Sequence, residues 1–255
     1  MRDPYLYPDS EVLRNLADIH DVDMLKNMEA DYCSFRLSEI VVDDMEMTYN
    51  FETLCNMHHH IFQDIYEWAG KPRVINIEKA EIVLGEISIE YSDCFDIAKD
   101  AKYVLSEMNV YDWQTASFEN IVKSFSNYMA KLWKVHPYRE GNTRTIVTFC
   151  CMFIEAQGIY IESDLFKDNA SYMRSALVAA NAIFHDLGDL RKPDYLYRIV
   201  QDALEKGKSM SRKVENYIRK AEVPVTKENI RKVVFWNRRA HKEHSFEEIR
   251  NYLKK

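Results

Sequence analysis

Between Val135 and Thr145 the chain reads VHPYREGNTRT, with apolar helical pattern on both sides. One imidazole, one carboxylate and a Gly-Asn-Thr-Arg run share a single short loop. Asn142 can open a helix, and a helix start leaves backbone N–H groups unpaired at the positive end of its dipole. Gly141 lets a ligand come close to the backbone, and Arg144 in the first turn can grip phosphate oxygens. Together these form an anion site. Glu140 would repel phosphates unless a divalent cation lay between them, and Mg²⁺ takes one or two carboxylates together with phosphate oxygens. His136, at the end of the preceding helix, can remove a proton from an attacking hydroxyl. A capped interhelical turn is the bland alternative. It does not account for five such groups together.

The elements that must hold this loop are mostly helical. Helices are expected near 11–18, 22–40, 51–69, 93–108, 117–134, from Asn142 to Gly158, over 168–184 and over 193–207. Val74 to Ile89 is rich in β-formers with Gly85 inside, which predicts a short hairpin over about 74–90. The fold class is therefore all-α with one small hairpin.

Composition agrees. Gly and Pro number six each while 47% of the 255 residues are apolar, which favours helices over a many-turned sandwich. No apolar run approaches the ~20 residues needed to cross a bilayer. The five cysteines have no metal-ligand spacing, and no leader pattern opens the sequence. They read as reduced thiols of a cytoplasmic protein. Residues 212–255 carry 13 Lys and Arg against 6 Asp and Glu, or +7. The rest carries 21 against 35, or −14, within a total of −7. This divides the chain into a body, 1–206, and a basic helical appendage, 207–255. Thr226 and Ser245 open two short helices there, and Pro224 marks a break. A helical cover for the body is favoured over a nucleic-acid module for this tail.

The stretch HPYREGNTR resembles the signature of Fic-domain proteins, in which His-x-Phe-x-Asp/Glu-Gly-Asn-Gly-Arg-x-x-Arg joins two helices. DPYLYPDSEVLRNL, IFQDIYEWAGKPRVINIEKA and the hairpin also resemble the bacterial cell-filamentation branch, over roughly residues 3–205. The resemblance implies a Fic-type helical bundle with a hairpin flap beside the active loop. It also implies transfer of AMP from ATP, with Mg²⁺, to a Ser, Thr or Tyr hydroxyl of a target protein. His136 would be the base and Glu140 the Mg²⁺ ligand. Gly141, Asn142, Thr143 and Arg144 would line the nucleotide phosphates. Lys79, Ala80, Glu81 and Ile82 would belong to the flap that docks the target by strand-like pairing.

Besides Tyr138 in place of phenylalanine, two positions depart from the signature. Thr143 replaces a glycine, and Val147 replaces the second arginine. A charged hydrogen bond contributes ~1.5–3 kcal/mol, so ATP could bind less tightly, or another donor could serve (UMP, phosphate or phosphocholine). A Fic body that has lost catalysis and acts as a binding protein is a further alternative. Family members are often restrained by a helix bearing Ser/Thr-x-x-x-Glu-Gly/Asn, or by a regulatory partner. Ser211, Glu215 and Asn216 match that pattern, but so do Thr115, Glu119 and Asn120, and the arginine that such a glutamate meets is Val147 here. The HHH run at 58–60 spreads its rings about 100° apart on a helix, so a core or surface role is expected rather than a metal site.

Overall fold

The computed structural model describes residues 3–40, 48–240 and 242–254. The helices are α1 (Val22–Glu39), α2 (Phe51–Phe62), α3 (Ile97–Val110), α4 (Phe118–Val135), α5 (Asn142–Ala156), α6 (Asp164–Asp168), α7 (Ala170–Ala180), α8 (Asp194–Lys220), α9 (Lys227–Ala240) and α10 (Phe246–Leu253). Strands β1 (Ile183–Phe184) and β2 (Gly188–Asp189) pair antiparallel between α7 and α8. The all-α expectation holds.

The central element is α4. Ser117 caps it by accepting from Asn120 N at 3.2 Å, and its apolar stripe buries Val122, Phe125, Met129, Leu132 and Trp133. It packs against α3, α5, α7 and α8. Helix α5 is apolar on most sides, with Ile146, Phe149, Cys150, Phe153 and Ile154 fully buried, because α2 and α4 flank it. The polar loop between α4 and α5 is thus held by the two best-packed helices of the body.

Several expectations need correction: the helix expected over 51–69 stops at Phe62, and the one over 168–184 stops at Ala180, with Ile183–Phe184 in β1. Residues 11–18 form turns, not a helix. Asn15 donates to the carbonyls of Leu13 and Ile19 and accepts from Ile19 N, while Ser10 Oγ accepts from Val12 N. Such local side-chain bonds compete with the helical ladder. The hairpin over 74–90 shrinks to one antiparallel bridge, Glu81 to Ile87, around a 3-10 turn at Ile82–Leu84. There Lys79 N bonds the Ser88 hydroxyl, a side chain in place of a ladder carbonyl. The boundary between body and appendage placed at 206/207 lies along α8, which runs unbroken through Gly207. An added Cβ at Gly207 would lie 2.1 Å from Tyr160 O, so glycine permits close packing there instead of ending the helix.

A second, smaller core joins the end of α8 to α9 and α10 through Val214, Ile218, Val233, Val234 and Ile249. Ser245 opens α10 with a capping box, as its sequence predicts. Arg238 ties this unit to the body, pairing with the buried Glu155 at 2.7 Å and donating to Ile161 O.

Candidate active site

His136 ends α4 in the left-handed conformation (φ 49°), unusual for a non-glycine residue. Its backbone is pinned twice: its N–H donates to Trp133 O, and its carbonyl accepts from Arg73 Nε at 2.9 Å. The side chain is fully buried. Nδ1 faces Trp133 O at 3.4 Å, and Nε2 has no protein partner. With Nδ1 donating, Nε2 carries the lone pair. Burial, with Lys79 and Arg174 adding positive charge, holds the imidazole well below its ordinary pKa and hence neutral.

Glu140 sits four residues on with 36% of its side chain exposed, so solvent reaches it. One carboxylate oxygen accepts from Gly141 N at 3.0 Å and the other from Lys79 Nζ at 2.9 Å. Burial opposes its charge, but Lys79 and the Gly141 N–H outweigh burial, and the carboxyl titrates below the usual range. No cluster of three or more His, Cys, Asp or Glu suited to a metal occurs among the described residues. A lone carboxylate already holding a cation fits an ion that takes its remaining ligands from phosphates and water.

Gly141 caps α5 at φ 81°, and a Cβ there would meet Phe62 Cζ at 2.3 Å. Lacking a side chain, it leaves the first N–H groups of α5 without a side-chain cap. Asn142 is placed differently from expectation. Its side-chain amide donates to Tyr138 O and accepts from Tyr138 N, so it folds the loop and leaves only its backbone N–H for an anion. Thr143 turns its hydroxyl back to accept from Trp133 Nε1 at 2.9 Å. Val147 is half-buried against the core. Arg144 lies over the Phe62 ring, and its guanidinium donates to Glu29 and Cys33 of α1 at 3.1 Å each.

In the flap, Ala80 and Ile82 face solvent, Ile82 at 89%, whereas Glu81 points inward and accepts from Arg174 Nη2 at 2.7 Å. Its carboxylate is not presented to a target. Glu215 engages Arg219 on its own helix at 3.8 Å, Ser211 donates to Lys208 O, and Asn216 is exposed on α8. The carboxylate that meets Arg144 is Glu29, and Arg139 of the loop pairs with Asp3 at 2.8 Å.

Several residues here escaped sequence reasoning. Arg73, 2% exposed, bonds the carbonyls of His136, Ile75 and Ser92, tying the flap root to the loop. His58 accepts from Gly70 N at 2.8 Å, donates to Glu140 O at 3.1 Å, and stacks between Phe62 and Tyr138. His59 and His60 likewise bond backbone carbonyls, so the triple histidine is structural. Glu29 lies far upstream on a helix with no distinguishing pattern. Arg73 had a signal in its place in GKPRVIN, and His58 had one in the HHH run.

A helix-joining loop that combines a neutral histidine, a solvated carboxylate and an uncapped helix start can hold an anion beside a group able to take a proton. The sequence profile described as the Fic/DOC family matches residues 48–154, from the start of α2 nearly to the end of α5. A "Probable protein adenylyltransferase y4lH" of Sinorhizobium fredii is 33% identical over 165 residues, 64% of this chain and 80% of that one. The "Protein adenylyltransferase VbhT" of Bartonella schoenbuchensis is 28% identical over 163 residues, of which this chain spans 33% of the relative's length. The chain belongs to the Fic/DOC family. Among solved structures, BepC of Bartonella tribocorum with bound AMPPNP superposes with a TM-score of 0.64 at 17% identity, over 78% of this chain and 95% of that one. A Bartonella quintana Fic domain with bound ADP gives 0.64 at 19%, over 78% and 93%. These share the fold.

Proposed function

We propose that this protein is a protein adenylyltransferase that moves AMP from ATP to a Ser, Thr or Tyr hydroxyl of a target protein. The observation that carries this reading is the buried, unpartnered Nε2 of His136 in the same loop as Glu140 and the α5 start. Its family membership and the names of its relatives support it. A buried acceptor without a partner is costly, which fits a lone pair kept for chemistry.

In this reading Nε2 takes the hydroxyl proton as the acceptor oxygen bonds to the α-phosphorus, and the bond to the β-phosphate oxygen breaks. Pyrophosphate leaves, received by the N–H groups of α5 and by Arg144 once it turns from Glu29. Mg²⁺ held by Glu140 would neutralise phosphate charge. Nε2 is covered, so the acceptor reaches it only as neighbouring side chains give way. The exposed apolar Ile82, Val83 and Ile87 offer the target segment a surface on that flap. Five free cysteines suit a cytoplasmic site of action, and no described helix is long and apolar enough to cross a membrane.

The test is labelling of lysate protein with α-³²P-ATP and Mg²⁺. Wild type labels, and His136→Ala loses 10²-fold or more, the usual size of a general-base contribution. Equal labelling by both would end the proposal. Val147 favours a second reading, another nucleotide or phosphate donor on the same loop, because it removes one phosphate-binding cation. Intact mass after incubation with a donor panel separates the two, since each adduct has its own mass.

A further inference from the structure

The ring of His136 is held from outside its own loop. Tyr91 stacks on it, with centroids 4.0 Å apart and planes 26° apart, while the Trp133 indole meets it edge-on at 5.2 Å and 88°. Tyr91 is itself held: its hydroxyl donates to Glu81 Oε1 at 3.3 Å. The same oxygen accepts from Arg174 Nη2 of α7 at 2.7 Å. Glu81 is only 5% exposed. Burying a carboxylate is unfavourable unless it is paired and hydrogen-bonded, and an apolar contact would fill the space equally well. The flap, the segment after it and α7 thus converge on one imidazole face.

We propose that Arg174, Glu81 and Tyr91 form a positioning relay that fixes the orientation of the His136 ring, so that Nε2 stays aimed at the acceptor. It rests on His136 being the base of the proposed reaction. None of the three need touch ATP. Arg174 orients the Glu81 carboxylate, Glu81 fixes the Tyr91 hydroxyl, and the Tyr91 ring blocks rotation of the imidazole. Because Glu81 is in the flap, the relay also links flap position to the base.

Two measurements test it. In steady-state AMP transfer, Tyr91→Leu is expected to lower kcat on the order of 10- to 100-fold with KM for ATP unchanged, as for a misplaced reacting group. Tyr91→Phe and Arg174→Met should each lower kcat several-fold, and the double variant should be no worse than the weaker single one, since both break one relay. Arg174→Lys should recover part of the loss. A rise in KM at constant kcat, or losses that multiply, overturns the relay. Independently of activity, the full chain labelled with ¹³C,¹⁵N-histidine is examined by NMR, with His136 assigned from His136→Gln. Tyr91→Phe, which alters no charge, should shift or broaden the His136 ring signals. Signals left in place overturn the relay. If wild type transfers no AMP, the proposed function fails, and the NMR outcome alone decides the relay.

Discussion

Lys79 Nζ lies 2.9 Å from Glu140 Oε2, so an ammonium from the flap sits where a divalent cation would meet the only carboxylate of the loop. A Mg²⁺ held by Glu140, as proposed above, would compete with this lysine. Lys79→Met should therefore lower the Mg²⁺ concentration for half-maximal transfer about fivefold, the size of a partly exposed ion pair of ~1 kcal/mol. A Mg²⁺ titration of labelling rate reads this directly. An unchanged midpoint would mean that the lysine does not contest the site.

Arg144 is held by Glu29, whose other oxygen accepts from the Tyr66 hydroxyl at 2.7 Å. Glu29→Gln keeps a hydrogen-bonding group for Tyr66 but removes the charge that detains the guanidinium. ATP should bind about fivefold more tightly, by roughly 1 kcal/mol, in calorimetric titration. Weaker or equal binding would show that Glu29 supports Arg144 without competing for it.

His58 makes stability depend on pH. Burial lowers its pKa to about 3, against ~6.5 for an unfolded histidine. The folded state therefore binds fewer protons, so its stability is full above pH ~6.5 and falls as pH drops toward 3. Between pH 6 and 5, urea unfolding of wild type should lose roughly 1.4 kcal/mol per pH unit from this residue, with the neutral His136 adding to the slope. His58→Gln should flatten the slope by about that amount. If it remains as steep, another group is responsible.

Gly141 cannot carry a side chain, both for its φ of 81° and for Phe62 at 2.3 Å. Gly141→Ala should destabilise the protein by about 1–3 kcal/mol in urea unfolding. Adding Phe62→Leu should cost less in the Ala background than in wild type. Equal costs in both would show that Phe62 does not press on the loop.

The sequence alone determined the helical class, the extents of α1, α4 and α5 within a few residues, and the loop on which the chemistry is placed. Those features come from short-range causes: apolar periodicity, caps at Asp21 and Ser117, and a glycine before a helix start. It did not determine which groups would meet across the fold. The helix expected at 11–18 lost to side-chain bonds of Asn15, and the hairpin gave way to a turn anchored by Ser88 and Glu81. That Glu29 holds Arg144, that Lys79 holds Glu140 and that Tyr91 covers His136 depends on contacts spanning 45 to 115 residues along the chain. No local pattern encodes such contacts, because they arise only when α1, the flap and the segment after it pack around the loop from α4 to α5.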